Sequence, residues 1–123
     1  MALEQDGRRV LVVEDEYTVA ALLEEILAGA GFVVVGPMPR LAQAVLAANK
    51  TAIDVALLDV NLAGQHVFPA AEALERRGIP FIFMTGYGSQ VLPAQFNSRP
   101  SIGKPFRSAG LLQVLSTVLG PRT

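Results

Sequence analysis

Residues 54–59 read DVALLD, an unbroken apolar run that ends on the carboxylate of Asp59. A short run without polar alternation is the pattern of a strand buried on both faces, as in a parallel sheet. A charge delivered by such a strand is costly unless it is paired, bound to a metal or used in chemistry. The same question arises at residues 9–16, RVLVVEDE, where an apolar run ends on Glu14, Asp15 and Glu16. Two such strands suggest one acidic site. FVVVG at 32–36 and PFIFMT at 80–85 read as further buried strands, and SIG at 101–103 as a weaker fifth.

Helical patterns lie between the runs. Val19, Leu22, Leu23, Ile26 and Leu27 form one apolar stripe that stops near Gly29 and Gly31. Leu41, Ala44, Val45 and Ala48 make a second stripe, and Ala70, Ala71 and Leu74 a third that ends at Gly78 and Pro80. Leu111, Val114, Leu115, Val118 and Leu119 make the last, closed by Gly120 and Pro121. Strands alternating with helices imply right-handed βαβ units on a parallel sheet. Five units make a doubly wound α/β domain with its site beyond the carboxyl ends of the strands. The fourth helix is the weak place. GSQVLPAQFNSRP at 88–100 carries Pro93 at its middle. A proline inside a helix costs roughly 3 kcal/mol but is tolerated in the first turn. The expectation is a short helix starting near Pro93, or a mobile segment.

Bulk properties narrow the function classes. At 123 residues, 51% of them apolar, the chain fits one domain with a real core. We expect a single domain over 1–123 with its core at about 8–119 and no output domain. A formal net charge of −1 gives no electrostatic footprint for nucleic acid or an anionic membrane. No apolar run approaches the length of a membrane span, and the N-terminus lacks the pattern of a secretory signal. The absence of cysteine excludes disulfides and thiolate zinc sites and fits a cytoplasmic protein. One histidine, His66, argues against a histidine-built metal site or a Ser-His-Asp triad. His66 itself reads as a surface residue early in the third helix.

The fold logic gathers the strand ends on one rim. Strand one delivers Glu14 and Asp15, strand three Asp59, strand four Thr85, and Lys104 follows strand five. Crowded carboxylates raise each other's pKa, a conflict that a divalent hard cation removes. Magnesium takes oxygen ligands and keeps waters open to phosphate. An aspartate can attack phosphorus to form an aspartyl phosphate, with positioning and charge neutralisation as the main requirements. Taken singly, the residues have bland readings. Glu14-Asp15-Glu16 could be a solvated helix N-terminus. Asp59 could be a turn cap. Thr85 could be an ordinary strand end and Lys104 a surface lysine. Their joint placement favours one site.

VEDE, LLDVNLAG, FMTG and GKPF, in this order, resemble the receiver domain of two-component response regulators over about residues 8–119. The resemblance implies a flavodoxin-like sheet of strand order 2-1-3-4-5. It implies Asp59 as phosphoacceptor, with Asp15 and Asp59 as direct Mg2+ ligands. Glu14 would act through water, and the Asn61 carbonyl would be a backbone ligand. Thr85 would be the switch hydroxyl, Lys104 the phosphate-contacting lysine, and Lys104-Pro105 a cis peptide. The implied partners are a sensor histidine kinase or histidine phosphotransfer protein and an unknown downstream protein. The function implied is that of a stand-alone phosphoacceptor, a signalling protein and not a classical enzyme, which assists its own phosphorylation and dephosphorylation.

Two departures stand out. Ser101 occupies the place where most receivers carry an aromatic three residues before the lysine. FMTGYG at 83–88 is similar to the F-A-T-G motif of a subgroup of single-domain regulators. Gly86 and Gly88 would let the loop after Thr85 reorder, with Tyr87 as the aromatic reporter that Ser101 cannot be. Other readings fit less well. DVN at 59–61 is a faint match to an Asp-x-Asp phosphohydrolase, but Asn61 replaces the general acid. A flavin or nucleotide binder needs a phosphate-cradling loop after strand one, where EDEYT would repel phosphate. The GKP at 103–105 lacks the remaining residues of a phosphate loop. The remaining alternative is a degenerate receiver used only as a docking module, against which the retained chemical residues argue.

Overall fold

A computed structural model describes residues 7–86 and 92–120. The elements follow one another as β1 (Arg9–Val13), α1 (Tyr17–Gly29), β2 (Val33–Met38), α2 (Leu41–Lys50) and β3 (Val55–Asp59). A two-residue pair, β4 (Asn61–Leu62) and β5 (Gln65–His66), comes next. It is followed by α3 (Phe68–Arg76), β6 (Phe81–Thr85), a 3-10 turn (Ala94–Phe96), β7 (Ser101–Gly103) and α4 (Ser108–Leu119).

Five strands form one parallel sheet in the order β2-β1-β3-β6-β7. Counting only these five, that is the doubly wound, flavodoxin-like order 2-1-3-4-5, as expected. Alternate side chains of each strand point to opposite faces. Leu11, Val13, Ala56, Leu58, Phe81 and Phe83 face one layer, where α2 and α3 supply Ala44, Ala47, Ala48, Ala70, Ala71 and Leu74. Val10, Val12, Val55, Leu57, Ile82 and Met84 face the other, against Leu23 and Leu27 of α1 and Leu111 and Leu115 of α4. All five residues of β3 are buried, which is why 54–59 read as an unbroken apolar run.

The structure corrects several expectations. FVVVG is not buried on both faces: β2 lies at the sheet edge, pairs only with β1, and leaves Val33 exposed. An edge strand can be as β-branched as a central one, because that composition suits any pleated surface. The α1 stripe is narrower than its spacing suggests. Leu23 and Leu27 are buried together with Ala20, whereas Leu22 is exposed. His66 is exposed as expected but lies on β5, before α3 begins.

In place of a fourth α-helix the described residues hold one 3-10 turn, which starts directly after Pro93. Its Phe96 is fully buried. It packs against the rings of Phe68, Phe81 and Phe83 at centroid distances of 5.8, 5.8 and 5.6 Å. Arg99 lies over the Phe81 ring at 5.0 Å and pairs with Glu75 of α3. The reordering expected of the segment from Tyr87 to Asn97 falls in part on residues 87–91, which with the reporter Tyr87 lie outside the described residues.

Candidate functional site

Sheet register builds the site. Val13 of β1 stands beside Leu58 of β3, so the next residues, Glu14 and Asp59, emerge side by side. Asp59 in turn is registered with Met84, and Thr85 with Gly103, one residue before Lys104. The backbone N–H of Lys104 donates to the Thr85 carbonyl at 2.7 Å, which carries the lysine over the rim. The Lys104-Pro105 peptide is cis.

Glu14 is 1% exposed and Asp59 5%. Lys104 Nζ stands between them, 3.2 Å from Glu14 Oε1 and 3.3 Å from Asp59 Oδ2. The exposed Glu16 carboxylate approaches the same ammonium at 3.6 Å. Backbone donors hold three further carboxylate oxygens. The Glu16 N–H donates to Glu14 Oε2 at 3.0 Å, Asn61 N–H to Asp59 Oδ1 at 3.3 Å, and Ala63 N–H to Asp15 Oδ2 at 3.1 Å. The last contact comes from the turn between β4 and β5. Ala63 and Gly64 form its two-residue loop with φ of 50° and 84°, the pattern of a type I′ hairpin.

Burial pushes the Asp59 carboxyl up to about 7, with repulsion from Glu14 adding to it and Lys104 opposing it. For Lys104, burial works to lower the pKa. The carboxylates of Asp59 and Glu14 outweigh that, and its pKa lies above the ordinary lysine value. The site thus holds one cation against a surplus of carboxylates. Glu14, Asp15 and Asp59 each present an oxygen, and these oxygens lie within 4.8 Å of one another. An all-oxygen anionic set of this size suits a hard divalent cation. A cleft of about 600 Å³, lined by Asp15, Glu16, Asp59, Asn61 and Lys104 among others, opens beside it.

Of the residues expected in the site, Glu14, Asp15, Asp59 and Lys104 come together. Asn61 lines the cleft, and its N–H donates to Asp59. Thr85 ends β6 half-buried, and its side chain makes no hydrogen bond among the described residues. Two contributors were missed from sequence. Ala63 could have been found from the Ala-Gly dipeptide, since glycine favours the second position of such a turn. Glu16 stands in the acidic run after strand one but was assigned no role, because an acid before a helix is common.

The family model for the response regulator receiver domain matches residues 10–116. The chain belongs to the response regulator receiver domain family. This receiver is 32% identical over 117 residues to the phyllosphere-induced regulator PhyR of Methylorubrum extorquens, covering 89% of the present chain and 43% of PhyR. It therefore spans less than half the length of that curated relative. Its structure is similar to the solution structure of SdrG from Sphingomonas melonis Fr1. The TM-score is 0.82 at 36% identity, covering 98% of this receiver and 100% of SdrG. It is also similar to the receiver domain of the sensor histidine kinase PA1611 from Pseudomonas aeruginosa PAO1. There the TM-score is 0.81 at 26% identity, covering 93% and 98% of the two chains, and that structure has a magnesium ion coordinated in its active-site cleft. Among the described residues no helix of this receiver is long and apolar enough to cross a membrane.

Proposed function

We propose that this receiver is a cytoplasmic phosphoacceptor in which Asp59 accepts a phosphoryl group from a phosphohistidine on a sensor kinase or phosphotransfer protein. The observation that carries the reading is the position of the Asp59 carboxylate. It lies at the carboxyl edge of the sheet, beside Lys104 and close to two further carboxylates, at the wall of an open cleft. An Asp59 oxygen attacks phosphorus, and the bond from phosphorus to the donor atom breaks with its electron pair leaving on the donor. Hydrolysis resets the site: water adds to phosphorus, the bond from phosphorus to Asp59 breaks with its electron pair on the carboxylate, and the water proton leaves with the released phosphate or to solvent.

Glu14, Asp15, Asp59 and the Asn61 carbonyl would hold Mg2+, with Glu14 acting through water. When bound, the ion neutralises the carboxylates and the oxygens of the entering phosphoryl group. The similar PA1611 receiver, with magnesium in its cleft, supports this assignment. Lys104 is already within reach of Asp59 and would turn its ammonium to a phosphoryl oxygen. Thr85, at the end of the neighbouring strand, would donate its hydroxyl to another and so report the modification to the following loop. The signal would leave as a protein contact with a downstream partner.

Reductive trapping tests the acceptor directly. After incubation with acetyl phosphate and magnesium, borohydride should convert residue 59 to homoserine, as read by peptide mapping. Conversion at another carboxylate, with Asp59 untouched, would overturn the assignment.

A further inference from the structure

Lys104 has a third carboxylate partner that the phosphoacceptor reading does not require. Glu16 is the residue that precedes α1, where a side chain ordinarily accepts from the first free backbone N–H groups. Its backbone is extended, at φ −83° and ψ 119°, but its carboxylate makes no capping hydrogen bond. Instead it reaches across the cleft to within 3.6 Å of Lys104 Nζ. Its side chain is 63% exposed, whereas that of Glu14 on the same ammonium is fully buried. The two acids therefore differ in kind. Glu14 is fixed below the lysine, and Glu16 stands over it at the mouth of the cleft.

Resting on the phosphoacceptor reading, we propose that Glu16 is a positioning residue that holds Lys104 from the solvent side and competes with the phosphoryl group for its ammonium. To meet a phosphoryl oxygen, Lys104 must give up part of its present coordination. Asp59 becomes the acyl phosphate and Glu14 is locked by burial, so Glu16 is the contact that has to yield. Once released, Glu16 stays beside a newly arrived anion and opposes it. Both effects lower occupancy of the phosphorylated state without touching the acceptor. An exposed ion pair contributes up to about 1 kcal/mol, so its removal should raise affinity for a phosphoryl mimic about two- to fivefold.

Beryllium trifluoride is a suitable probe, because it occupies the phosphoryl position at equilibrium and its bound fluorines are read by 19F NMR. Native chain, Glu16→Gln and Glu16→Asp are titrated at saturating magnesium, after magnesium affinity is measured for each by amide chemical shifts. The aspartate keeps the charge but shortens the reach to Lys104. The expected result is about two- to fivefold tighter binding in Glu16→Gln and a smaller but measurable gain in Glu16→Asp, which keeps the opposing charge, with magnesium affinity unchanged in Glu16→Asp. Unchanged binding in Glu16→Gln would overturn the proposal. Tighter binding in Glu16→Gln with native affinity in Glu16→Asp would also overturn it, because charge and not the contact would then be the cause. Loss of beryllofluoride binding by all three proteins would instead strike the phosphoacceptor reading, and the proposal with it.

Discussion

Asp59 is poised by its surroundings before any partner arrives. Burial and the neighbouring Glu14 keep its carboxyl up to about 7, against 3.8 for a free aspartate. The folded protein therefore binds a proton there that the unfolded chain has lost. Between about pH 4 and pH 7 this group's contribution to stability falls as pH rises, and above that window the penalty is complete. Replacing the carboxylate removes the penalty. In chelator-treated protein, Asp59→Asn should melt above the native chain at pH 8, by a margin on the order of 3 kcal/mol, and the gap should close by pH 4. Thermal melts at several pH values read this directly, and a gap independent of pH would show that Asp59 is not held in this way. The same geometry places Lys104 as the local counter-charge. Its ammonium stands 3.3 Å from Asp59 and is mostly shielded from water.

Among the elements, the small hairpin of β4 and β5 ties the acidic site to the loop after β3. Ala63 sits at φ 50°, a conformation that asparagine tolerates better than alanine. Ala63→Asn should raise stability by roughly 0.5–1 kcal/mol while keeping the N–H to Asp15. A denaturant midpoint that falls would refute the turn assignment. Residues 92–100 are anchored chiefly by the buried Phe96 ring of the 3-10 turn. Phe96→Ala should cost roughly 3–5 kcal/mol, because Phe68, Phe81 and Phe83 cannot close the void it leaves. A loss under 1 kcal/mol would show that the segment does not depend on this anchor. These two elements also mark where sequence reading stops. The buried strands 9–13, 55–59 and 81–85 were legible because burial on both faces leaves an unbroken apolar signature. Sheet order and the convergence of Glu14, Asp15, Asp59 and Lys104 followed from alternation and strand ends. The edge position of β2 was not legible, since edge and central strands share β-branched residues. Phe96 was hidden as well: a lone aromatic beside Pro93 has no period to betray it. Glu16 needed the actual reach of its side chain.

At the scale of the molecule, the described residues put two helices on each face of a five-stranded sheet and their buried acids at one rim. Of the described residues only Glu14 and Asp59 are buried and acidic, and both lie there. That segregation makes the site a single ligand-linked unit. A divalent cation bound to the folded state alone stabilises it by about 2.7 kcal/mol at a hundredfold excess over its dissociation constant. Magnesium should therefore raise the melting temperature of the native chain at pH 8, and raise that of Asp59→Asn less. Equal shifts in the two proteins would place the ion elsewhere. The central claim is that this same unit accepts a phosphoryl group on Asp59. Intact-protein mass spectrometry after incubation with acetyl phosphate, with and without magnesium, on the native chain and on Asp59→Asn, tests it most directly. The account predicts a gain of one phosphoryl group in the native chain that requires magnesium and is absent in Asp59→Asn. A gain that persists in Asp59→Asn, or no gain from acetyl phosphate or from any histidine kinase together with no magnesium binding, would contradict it and leave a receiver that serves only as a docking module.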